Sequence, residues 1–174
     1  SDEGAIPIAM REDAWQILKA LTDDPSPTVE DEARDGGSNM DPATTSINTT
    51  RGEAMHTVVK YGLWVRRQRE RATGSAQGSF EDMQEVRAVL DAHLDPGIDP
   101  SPAIRTVYGQ WYPWLLLLDP AWARASAPTI FPSEPTLTRL RDAAWNAYLL
   151  YGGAYDEVLD ALRDEYSSAV SRMS

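Results

Sequence analysis

With 174 residues, a formal net charge of −11 and 42% hydrophobic residues, the chain is long enough for one domain with a real core and too apolar for wholesale disorder. The acidic balance excludes a general nucleic-acid binder and disfavours anionic membrane surfaces, since both need positive charge. The absence of cysteine excludes a disulfide framework, a thiolate metal site and a cysteine nucleophile.

No stretch approaches the roughly 20 apolar residues of a membrane span, and no basic region precedes an apolar one at the start, so a cytoplasmic protein is expected. The start at Ser1-Asp2-Glu3 without Met suggests a piece of something longer. Basic residues are almost all Arg, with Lys only at Lys19 and Lys60, and this skew with abundant Ala points to a GC-rich bacterial genome.

In chain order, Ala14, Trp15, Leu18 and Leu21 recur at helical spacing and predict an amphipathic helix over residues 11–21. Residues 23–46 are rich in Asp, Glu, Pro, Gly and Ser and are expected to form an exposed, flexible acidic loop, either functional or a variable insertion. A second helix is expected from about Arg51 to Arg71, opened by a Thr50–Glu53 capping box and ending in the arginine cluster. A third should run from Phe80 to about Leu94 behind a Ser79 cap.

Ser101-Pro102 opens the fourth helix, which Pro113 must end or kink, and Asp119-Pro120 opens the fifth. The sixth runs from about Thr136 to Tyr151, with Leu137, Leu140, Ala144, Trp145, Tyr148 and Leu149 inward and Gly152-Gly153 as its stop. The seventh runs from about Tyr155 to Ser171 with Val158, Leu159, Leu162, Tyr166 and Val170 inward. The expectation is an all-α chain of about seven helices, packed as irregular stacked pairs or as a closed bundle. Residues 1–22 read as an N-terminal helix, 23–46 as the loop and 47–174 as a helical-repeat-like core of one domain overall.

The stretch Asp99-Pro100-Ser101-Pro102-Ala103-Ile104-Arg105 resembles the opening of a HEAT repeat, and Asn48-Thr49-Thr50-Arg51 is a looser copy without the aliphatic residue. The resemblance covers residues 47–171. It implies an α-solenoid-like segment in which Asp99 and Arg105 are structural, hydrogen-bonding between successive repeats. It also implies likeness to the helical arms that follow nucleotide-hydrolysing or effector domains in some defence and signalling proteins of bacteria.

Catalytic signals are weak. Glu53 and His56 share one helical face at the spacing of carboxylate-bridged di-iron sites, but a second such motif is missing, so a hydrogen-bonded histidine is preferred to a metal ligand. His93, at a helix end, reads as a cap for terminal carbonyls. The aromatic run Tyr108, Trp111, Tyr112, Trp114 and Trp122 forms either core or a groove. Arg66, Arg67 and Arg69, with Arg71, either complement the helix dipole on a solvated face, pair with the acidic loop, or meet an acidic partner or a phosphate backbone. The sequence therefore leads to a non-catalytic interaction or scaffold module with no cofactor and no metal. Its expected partner is another domain or a protein rather than nucleic acid or membrane, and Arg66, Arg67, Arg69, Trp111 and Trp114 are the candidate contact residues. The alternative is a helical bundle holding a metal or small ligand near Glu53 and His56.

Overall fold

The computed structural model describes residues 6–35, 41–75, 78–153 and 155–173, and these are all-helical, with no strand among them. In chain order come α1 (Arg11–Thr22), α2 (Val29–Asp35), α3 (Pro42–Ile47), α4 (Thr50–Thr73) and α5 (Gln84–Leu94). After these come α6 (Pro102–Leu118), α7 (Pro120–Ile130), α8 (Thr138–Ala147), α9 (Asp156–Ala161) and α10 (Arg163–Met173). The described residues thus hold ten α-helices rather than about seven. The segment read as an acidic loop carries α2 and α3, and the last expected helix breaks at Leu162 into α9 and α10. Residues 36–40 of that segment lie outside the described residues.

Local capping explains the two extra helices. Thr28 and Asp31 form a reciprocal capping box ahead of α2, the Asp31 amide donating to the Thr28 hydroxyl at 3.0 Å and the Thr28 amide to the Asp31 carboxylate at 3.3 Å. Asp41 accepts from the Thr44 amide at 2.9 Å, and Pro42 sits where no amide hydrogen is needed. The expected Thr50–Glu53 box is not formed. Thr49 precedes α4 and turns its hydroxyl back to the Thr45 carbonyl at 2.9 Å, while Glu53 pairs with Lys60. On α1, Trp15, Leu18 and Thr22 are the buried positions and Leu21 is exposed, a shift of one residue from the predicted stripe.

Helix α6 packs against α3, α4, α7 and α8. Its residues Pro102 through Gly109 are all buried, so it offers a core surface around most of its circumference. Pro113 does not end it: the helix continues from Pro102 to Leu118. Two glycines set the closest approaches. A Cβ at Gly109 would lie 1.9 Å from the Ala144 carbonyl oxygen of α8, and one at Gly52 would lie 2.1 Å from the Ser46 carbonyl oxygen of α3. Any side chain there would force the helices apart.

Buried polar groups tie the helix ends together. Ser101 Oγ accepts from the Ile104 amide at 3.1 Å, as its sequence position predicts. Glu32 of α2 reaches the same helix start, accepting from the Ala103 amide at 2.8 Å and the Ser101 hydroxyl at 2.9 Å. Burial pushes the Glu32 carboxyl pKa up, against the lowering effect of these two hydrogen bonds. Asp99 is 4% exposed, and its Oδ2 lies 2.7 Å from His93 Nδ1 and 3.2 Å from Arg51 Nε. The Arg51 contact is an ion pair whose geometry is not that of a hydrogen bond. The Arg51 side chain instead donates to the carbonyls of Asp24, Pro25 and Pro27 at 2.8, 2.9 and 2.7 Å.

Arg105 is 1% exposed. Its guanidinium donates to the Leu94 carbonyl at 2.8 Å and to the Thr129 carbonyl, and so joins the C-terminal ends of α5 and α7 from inside the core. Arg105→Ala leaves both carbonyls short of a donor and opens a cavity, at a cost of about 3–5 kcal/mol. The expected readout is a fall in Tm on the order of 10 °C, with Arg105→Lys recovering only part of it because one ammonium does not reproduce the fork. An unchanged Tm for Arg105→Ala would show that the two carbonyls do not depend on it.

Candidate functional site

The residues singled out by the sequence are dispersed. Arg66 is half-buried and pairs with Glu70 at 2.7 Å, Arg69 pairs with Asp82, and Arg67 is exposed. The exposed Arg69–Asp82 pair is of the kind that contributes little to stability. Trp114 is 47% exposed, whereas Tyr108, Tyr112 and Trp122 of the same aromatic run belong to the core.

Trp111 has a different place. Its indole Nε1 donates to His56 Nδ1 at 2.8 Å, which puts the imidazole proton on Nε2, and Nε2 then donates to Ser46 Oγ at 2.9 Å. Ser46 in turn donates to the Ala43 carbonyl at 2.7 Å. This chain of three hydrogen bonds runs from α6 through α4 and secures α3. Both ring nitrogens of His56 are used within it, and Glu53 faces solvent with Lys60 at 3.4 Å. A metal ion on this pair would have to displace Trp111 or Ser46. Among the described residues no group of three or more His, Asp or Glu side chains is placed to hold a metal ion.

His93 also differs from its sequence reading. Its ring bonds the buried Asp99 carboxylate rather than helix-terminal carbonyls. The Arg51–Asp99–His93 cluster borders a cleft of about 380 Å³ beneath the α1–α2 connection.

Among the described residues, a run of three consecutive exposed large apolar side chains was not visible in the periodicity. Helix α8 passes directly into a π-helical turn, Tyr148–Gly152. Tyr148 stays buried, sharing a 2.9 Å hydrogen bond with the Tyr166 hydroxyl, but the widened turn changes the register after it. Leu149, Leu150 and Tyr151 are 56%, 72% and 59% exposed, so Leu149 stands outside rather than on the inward stripe. In α9 and α10, Leu159 and Val170 are likewise exposed, while Val158 of α9 and Leu162 at the break between the two helices are buried.

Leu149 and Leu150 border a groove of about 610 Å³ whose other apolar walls are Pro42, Ala43, Pro102, Ala143 and Ala147. Asp41, Arg139 and Asp142 also line it. The wall formed by α3 is the one held by the Trp111–His56–Ser46 chain, so one candidate residue from the sequence supports the groove from behind. Three consecutive large apolar side chains beside an apolar groove form a surface suited to covering by another protein.

Burial lowers the His56 pKa from its ordinary value near 6.5 to about 4, with Lys60 adding to the effect and Glu53 opposing it. The unfolded chain therefore takes up a proton that the folded one refuses between these values. The stability from neutral His56 is complete above about pH 6.5 and falls by roughly 3 kcal/mol as pH drops to 4. Urea unfolding at pH 7, 5.5 and 4 is expected to show a steeper acid loss in the wild type than in His56→Gln, whose amide can serve both neighbours. Equal slopes would remove His56 as the source. No known protein family, curated protein or solved structure matches this chain.

Proposed function

We propose that this chain is a non-catalytic protein-interaction module, an irregular HEAT-like helical arm of a larger bacterial protein working in the cytoplasm. The observation that carries the reading is the outward run Leu149–Leu150–Tyr151 beside the Pro42–Ala43–Pro102–Ala143 groove. Apolar side chains in such a cluster favour a covered state, and the covering surface is another domain of the same protein or a partner protein. The solenoid reading draws support from Arg51 and Asp99, which join the two helix openings that resemble each other in sequence. The acidic net charge supports a protein partner over nucleic acid.

The test places a photo-crosslinking benzoylphenylalanine at Leu150 in the protein expressed from its own gene in its own host. Crosslinks to one discrete polypeptide segment are expected, and Tyr151→Glu should abolish them while leaving Tm unchanged. Crosslinks scattered over unrelated abundant proteins and indifferent to Tyr151→Glu would overturn the reading.

A further inference from the structure

On α8, Arg141 and Trp145 are four residues apart and lie on the opposite face from Ala143 and Ala147 of the groove. They border a second cavity, of about 310 Å³, closed by α10 through Glu165, Ser168 and Arg172. These three share one helical face by their spacing. A volume of this size is at the lower end of small-ligand pockets.

Its wall is aromatic. Trp145 meets Phe131 edge-to-face at 5.8 Å and Tyr166 at 5.0 Å, so the rings are fixed by one another and not by whatever fills the cavity. Against this wall stands Glu165, half-buried. Among the described residues its carboxylate has no hydrogen bond or ion pair to another residue. Burial pushes its pKa up, and its charge reaches far enough inward to raise, together with burial, that of the Tyr112 hydroxyl.

The other charges are differently disposed. Arg141 donates from Nε and Nη2 to the Asp142 carboxylate at 3.1 and 3.0 Å, and is thereby compensated. Arg172 is exposed, with Nη1 on Ser168 Oγ at 2.6 Å, and Asp164 is exposed as well. An exposed guanidinium keeps its hydration, whereas a half-buried carboxylate beside aromatic rings has lost part of its own. The charge with most to gain from a counter-ion is Glu165. Aromatic faces are negative, so they favour the same sign of guest.

We propose that this pocket receives an organic cation, a guanidinium or primary ammonium on an aliphatic stem, with the charge on Glu165 and the stem along Trp145 and Phe131. The chemistry is shared by a free small molecule and by an arginine or lysine side chain of a bound protein. This inference is independent of the groove beside Leu150.

The indole N–H resonance of Trp145, assigned by its loss in Trp145→Phe, reports occupancy. The 174-residue chain is titrated with butylguanidinium, butylammonium, the neutral isostere butylurea, pentanoate, and the capped tripeptide acetyl-Gly-Arg-Gly-amide. A saturable shift with the cations or the arginine peptide, none with butylurea, and affinity reduced about tenfold or more in Glu165→Gln is expected. Glu165→Gln removes an uncompensated charge, so its Tm should equal or exceed that of the wild type. Binding of the small cations as tightly as the peptide identifies a free ligand, and binding of the peptide alone identifies a partner's side chain. No saturable shift with any cation, equal binding of butylurea, undiminished affinity in Glu165→Gln, or pentanoate binding that depends on Arg172 would each overturn the proposal.

Discussion

Helix α6 is buried around most of its circumference, and the arrangement of the other helices follows from what its ends require. A helix start leaves amide donors without partners, and in a buried start water cannot supply them. Ser101 takes the Ile104 amide, and Glu32 takes the Ala103 amide from outside the helix. One acidic residue of α2 is thus fixed at the mouth of α6. Arg51 then fixes the chain before α2 by its backbone, while Asp99 sits between Arg51 and His93. At the C-terminal ends of α5 and α7, Arg105 supplies the donors that their last carbonyls lack.

The apolar core and the polar ends act on different aspects of the structure. Burial of side chains such as Met55, Val86, Leu90, Ile104 and Leu115 is non-directional and drives collapse. It does not choose how far α3 and α8 stand from their neighbours. Gly52 and Gly109 decide that distance by having no Cβ, and the Trp111–His56–Ser46 chain then fixes α3 in its seat. The groove borders this seat, so its width is set by two glycines and a neutral imidazole.

Much of the helical order was legible because caps and apolar spacing agreed. Ser101-Pro102 and Asp119-Pro120 open α6 and α7 where the sequence places them. Thr28-Val29-Glu30-Asp31 and Asp41-Pro42 hold equally specific signals for α2 and α3, but the acidic, glycine-rich composition around them outweighed the caps. Pro113 was read as ending or kinking the helix; it does not end it, and packing on several sides holds α6 unbroken from Pro102 to Leu118. Of the candidate contact residues, Trp111 was recognised as an aromatic without its partner, because the pairing with His56 spans 55 positions along the chain and no spacing rule reaches that far. Leu149 to Tyr151 were hidden for a different reason. A 3.6-residue period counted from Leu140 assigns Tyr151 inward, and the π-helical turn buries Gly152 in its place; spacing from Trp145 sets Leu149 on the stripe, although it stands half a turn from Leu140.

The grip of Arg51 on the α1–α2 connection has an evolutionary consequence. All three side-chain hydrogen bonds end on backbone carbonyls, and the Arg51 amide donates to a fourth, that of Ser26, at 3.0 Å. A contact of this kind is indifferent to which side chains the gripped residues carry, provided that the chain follows the same path. The grip of Arg51 therefore survives substitution in the connection, where the contacts that depend on side-chain identity include Asp24 on the Ser26 amide and the Thr28–Asp31 box. A segment that looks variable by composition can in this way stay fixed in position.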